Sequence, residues 1–167
     1  MAHLHIMLGG VPIVTHAGAP EQSEAPIGGS SLLRMSDGSA VKQQHWQRAS
    51  GSVSGNGLMP PGLDGLDYSV PLELRLTEVS NMVGAGPDFV LTSTPRPDKA
   101  PWAFYQLDDE LWYRCACSFA NGVVTVPPVA GAVLYQVAWM PVYSVFTDKP
   151  SKTQNTNHSW SITWEEA

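Results

Sequence analysis

The sequence predicts an all-β protein: an antiparallel β-sandwich or a partly closed barrel carrying long polar loops. Three observations predict it. The chain's 15 glycines and 14 prolines fall between its apolar segments and leave no room for long helical periods. Several segments alternate apolar and polar residues with a period of two. Two dipeptides suited to tight turns, Asp37-Gly38 and Asn121-Gly122, each sit between short apolar runs. At 167 residues the chain has the length of one domain, taken here as 1–167, and 43% hydrophobic residues suffice for a core.

Taken in order, "LLRMSDGSAVKQ" is a strand, a turn at Asp37-Gly38 and a returning strand. "GLMPPGLDGLDYSVPLELRL" follows, and three chemistries compete for it. A calcium loop needs alternating oxygen ligands closed by a bidentate acid, whereas leucines precede both aspartates here and no third carboxylate follows before Glu73. A catalytic acid pair, Asp64 with Asp67, would need a cleft and further polar partners. The third reading is a structural bend. Pro60 and Pro61 stiffen its entry, Gly62 and Gly65 supply backbone freedom, and Asp64 and Asp67 accept bonds from amides two residues on. Leu63 and Leu66 anchor it, and this reading makes Gly65→Val disruptive.

"VPLELRLTEV" alternates, with Leu72, Leu74 and Leu76 opposite Glu73, Arg75 and Thr77. "LWYRCACSF" reads as one strand with Leu111, Tyr113, Cys115, Cys117 and Phe119 on one face, and Asn121-Gly122 then turns the chain back. Two cysteines one residue apart are too close for an unstrained disulfide and read as core residues. Residues 132–148 form the longest apolar segment, and Pro141 within it predicts a bent or edge strand. "HSWSITWEEA" closes the chain with Trp160, Ile162 and Trp164 on one face. Roughly 8 to 11 strands are expected. Segments 16–31 and 147–158 lack an apolar period and read as polar loops, either plain surface or arms that order on a neighbouring subunit.

Composition excludes several functions. Only nine Lys and Arg, scattered singly in a chain of net charge −6, provide no stripe for neutralising phosphates, so nucleic-acid binding is not expected. No apolar run approaches the ~20 residues of a membrane span. The N-terminus lacks the basic segment of a signal peptide, and maturation in a cytoplasm is expected. Charged residues amount to 14%, a low share that points to surface covered by partners. There is no nucleophile elbow, phosphate loop or dinucleotide fingerprint. His3 and His5 share a strand face but lack a third ligand. The sequence therefore predicts no enzyme, cofactor or metal site.

The stretch from "LLRMSDG" through "SGSVSGNG" to "PPGLDGLDYSVPLELRL", and more loosely "YQVAWMPVYSVF" with "HSWSITWEEA", resembles small tail proteins of long-tailed, non-contractile bacteriophages. In that setting the glycines of "SGSVSGNG" let a strand pass close to a neighbour. The resemblance implies a virion protein assembled in the host cytoplasm: a distal tail subunit whose ring, hexameric in the family, joins tail tube to tail tip and lets DNA pass. Its partners would be further copies and neighbouring tube and hub proteins. A tail tube or tail terminator subunit is the alternative within the family. A carbohydrate- or receptor-binding module, using Trp46, Trp102 and Trp112, is the alternative outside it.

Overall fold

The computed structural model describes residues 4–167. The described chain is all-β, with fifteen strands in antiparallel sheets, a single 3-10 turn at Thr15–Ala17, no α-helix, and no sheet closed into a barrel. His3, half of the histidine pair, lies outside the described residues. The strands divide between two compact units, each built from two stretches of sequence. The first comprises residues up to Met7 and Leu74–Tyr143, the second Leu8–Glu73 and Ser144–Ala167. Strands β1 (Met7–Leu8), β5 (Leu72–Arg75) and β13 (Val142–Thr147) carry the chain from one unit to the other.

The first unit holds β6 (Ser80–Gly84), β7 (Asp88–Val90), β8 (Trp102–Gln106), β9 (Trp112–Cys115), β10 (Ser118–Ala120), β11 (Val123–Thr125) and β12 (Leu134–Trp139). Four of them form a sheet in the order β6-β12-β8-β9, and the other three a sheet in the order β10-β11-β7. The two sheets share one core, to which the larger contributes Ala103, Tyr135, Val137 and Trp139 and the smaller Phe89 and Val124.

Two apolar segments that read as single strands are each broken in two. In 111–119 the chain leaves the four-stranded sheet after Cys115 and enters the three-stranded one at Ser118. Cys115 and Cys117 flank that crossing as free, half-buried thiols packed against the shared core, and burial pushes both up from the ordinary thiol value. In 132–148 the break falls at Met140 and Pro141, where Pro141 lacks the N–H a ladder requires. The residues on either side remain well paired, β12 lying centrally between β6 and β8.

A buried arginine fastens the loops of this unit. The Arg96 side chain is fully enclosed; its Nε and Nη2 donate to the Asp98 carboxylate at 2.6 and 2.8 Å. Its remaining donors reach the carbonyls of Leu76 at 3.0 Å and His5 at 3.1 Å. Each nitrogen of the guanidinium thus has an acceptor, which burial of a charge demands.

The second unit contains β2 (Val11–Pro12), β3 (Glu21–Arg34), β4 (Ala40–Gly57), β14 (Ser151–Gln154) and β15 (His158–Glu166). Its strands follow the order β13-β15-β4-β3, with β14 also pairing β15. Trp160, Ile162 and Trp164 of β15 are buried on one face, as their spacing predicts. Opposite the two tryptophans, across the ladder, stand Gly55 and Gly51. A Cβ on Gly55 would lie 2.7 Å from the Trp160 ring, and one on Gly51 2.8 Å from the Trp164 ring and 2.0 Å from the Ser23 carbonyl. The strand is glycine-rich because indole rings lie across it.

The two polar loops are corrected by this unit. Most of 16–31 is strand β3, and 147–158 is chiefly β14 and the turn into β15, where the Asn157 amide donates to Asn155 Oδ1 at 3.1 Å. Backbone ladders need no apolar period. With side chains such as Ser23, Ser30 and Lys152 in water, nothing in the residue pattern marks these segments as strands.

Candidate assembly surface

β3 and β4 pair continuously from Glu21/Ser54 out to Arg34/Ala40, interrupted by one bulge after Gly29. β15, the third strand of this ladder, accompanies β4 only from Gly57 to Ser50. The Glu166 carboxylate accepts from the Ala49 amide at 2.8 Å and marks where that support ends. Beyond Ala49 the hairpin continues as two strands alone for about 30 Å, at ~3.3 Å per residue.

Every residue from 30 to 48 on this arm is exposed. Leu32 and Leu33, adjacent and so on opposite faces, are 61% and 49% exposed, and Met35, Val41 and Trp46 are 56%, 45% and 54% exposed. Leu33 pairs with Val41 across the ladder, while the Trp46 indole lies over Gly29, its ladder partner. Three of the chain's nine basic residues, Arg34, Lys42 and Arg48, sit on this arm against a single acid, Asp37.

The tip contains the first predicted turn. Met35 and Ser39 are joined by an amide-to-carbonyl bond of 2.9 Å, and the Gly38 amide donates back to Met35 at 2.9 Å. Gly38 takes the left-handed φ of 83°, and Asp37 Oδ1 accepts from the Ser39 amide and hydroxyl. Asn121 and Gly122, with φ of 51° and 78°, form the two-residue turn between β10 and β11 in the other unit.

The bend at residues 60–67, which holds both Asp64 and Asp67, lies in the second unit. Leu63 is fully buried, its carbonyl accepting from the Tyr68 hydroxyl at 2.7 Å. Leu66 is only half-buried. Asp67 accepts from the Ser69 amide and hydroxyl as expected, whereas Asp64 turns instead to the Lys152 ammonium. Both carboxyls are held below the usual range, Asp64 chiefly by Lys152 and Asp67 by its Ser69 hydrogen bonds, the reverse of what a general acid needs. Gly62 and Gly65 have ordinary φ, and a Cβ on either would meet nothing within 4 Å. The backbone freedom expected of them is therefore not used. Pro60 and Pro61 precede the anchor, with the Leu63 amide donating to the Pro61 carbonyl at 2.8 Å.

Among the described residues no three His, Cys, Asp or Glu side chains gather as metal ligands. An open groove of about 480 Å³ lies at the root of the arm, between Ser50, Tyr68, Phe146, Asp148 and Glu165. Residue patterns place the arm's tip, the strand, turn and returning strand around Asp37-Gly38, and miss the length of the two strands behind it. The Leu32-Leu33 pair beside that turn puts apolar side chains on both faces of one strand. No protein-family model matches the chain, and no curated protein matches it.

Proposed function

We propose that the chain is a structural subunit of a bacteriophage tail that assembles with copies of itself into a ring, as a distal tail protein does. The observation that carries this function is the β3–β4 arm. A two-stranded hairpin is at best marginally stable in water, and this one also exposes leucine, methionine and tryptophan on both faces. Its outer half leaves both strand edges unpaired, an arrangement that invites a further strand. A neighbouring copy supplies that cover, and rotational symmetry closes such head-to-tail contacts into a ring. The arm's basic character suits the acidic remainder of a chain whose net charge is −6. Tube and hub proteins would then stack above and below, with assembly in the host cytoplasm.

The test compares the full chain with a variant whose residues 29–46 are replaced by a two-residue Asn-Gly turn, which closes the Gly28–Gln47 pair in register, using native mass spectrometry and light scattering. The full chain is expected to form a closed oligomer whose melting temperature rises with protein concentration, and the shortened variant a monomer. A full chain that stays monomeric at all concentrations, and is missing from purified virions, would overturn the proposal.

A further inference from the structure

The four-stranded sheet of the first unit has a second face, turned away from its core. Along β8, Trp102, Phe104 and Gln106 alternate with the inward-facing Ala103 and Tyr105. Phe104 lies directly between Gln136 on β12 and Arg114 on β9. Trp112 pairs with Gln106, one step further along the same face, and Asn81 reaches this face from β6, in the row of Trp102. Trp112 is 40% exposed, Arg114 and Asn81 are exposed, and Trp102, Phe104 and Gln136 are half-buried.

We propose that this face is a binding platform for an oligosaccharide of about three linked hexopyranose units, a site independent of any role in a tail. Three aromatic rings at different points of one sheet face suit the CH faces of successive sugars, which present apolar patches and hydroxyl rims together. From Trp102 to Trp112 the register spans about 14 Å, four residues along β8 at ~3.4 Å each plus one strand spacing. That matches the length of roughly three sugars.

The polar groups complete the fit. Arg114, Gln136 and Asn81 form no side-chain hydrogen bond or ion pair among the described residues. Planar amides and a guanidinium beside an aromatic ring are donors and acceptors set for hydroxyl groups. Lys99, 5.4 Å from the Trp102 ring centre, adds a further donor at one end. A protein partner with an apolar surface would strip water from these three side chains and leave them unpaired, a cost that sugar hydroxyls avoid. A nucleic acid would meet only two cations here, Arg114 and Lys99, on a chain of net negative charge.

Saturation-transfer NMR of the full chain, with cellotriose, chitotriose, maltotriose and trigalacturonic acid as probes, tests the platform. At least one trisaccharide is expected to bind with its ring CH protons closest to the protein. Affinity should fall about tenfold in Trp112→Ala and in Arg114→Gln. Both positions are exposed, so folding is preserved, and Trp46→Ala on the arm should leave binding unchanged. Silence from all four probes, or binding indifferent to Trp112→Ala, would refute the proposal. So would variants that alter oligomeric state while no sugar binds, since the face would then be a protein interface.

Discussion

Arg96 is fully enclosed, and the Asp98 carboxylate that meets its charge is exposed to water. Arg96→Ala removes donors to two backbone carbonyls as well as to a carboxylate, and should cost about 2–4 kcal/mol, read from urea or thermal unfolding. The same pair creates a pH dependence. The Arg96 hydrogen bond, ahead of charge attraction to Arg96 and Arg75, holds the Asp98 carboxyl below its usual value. A carboxyl depressed in the folded state stabilises fully above its unfolded pKa of about 3.9, and that stabilisation fades as pH falls through the folded value. Melting curves from neutral to acid pH should therefore show Asp98→Asn weaker than the parent near neutrality, with the gap narrowing towards acid. A gap constant across that range would contradict the linkage.

At the scale of elements, glycines that look alike in sequence separate by what they face. Gly51 and Gly55 lie under Trp164 and Trp160, where any side chain collides with an indole ring, and at Gly51 also with a carbonyl. Gly65 faces open solvent with an ordinary φ. Gly55→Val should cost several-fold more stability than Gly65→Val, in a chemical unfolding series of both variants. Equal costs would place the constraint on β4 elsewhere. The comparison also shows what residue patterns convey. Alternation in "HSWSITWEEA" announces β15 because one face is buried, and Asn121-Gly122 announces its turn because both residues need positive φ. Strand β14 and the inner part of β3, residues 21–31, announce nothing, since their ladders are satisfied by backbone and their side chains meet water. The turn at Asp37-Gly38 marks the arm's tip, and the arm's length escaped for that reason. Trp102 and Trp112 stand out in the sequence as candidates for stacking on sugars, but only the β8–β9 register places them with Phe104 on one face.

For the whole molecule, the order in which the chain is made bears on how it folds. Each unit is assembled from two separated stretches, and the strand that flanks β4 in the second unit, β15, is made long after β4 itself. Until then β4 has only β3 beside it, and the groove its glycines leave for Trp160 and Trp164 stays open. The first unit, complete once residue 143 has emerged, is free to settle earlier. A purified chain truncated after Asn157, and so free of the ribosome, should show amide protection in β8 and β12 and none in β3 and β4; protection throughout would refute this sequence of events. Synthesis thus acts as a timer. The hairpin that reaches outward stays unsupported at its root until the tryptophan strand β15 docks, so arms on chains that still lack it are not yet held in position to engage their neighbours.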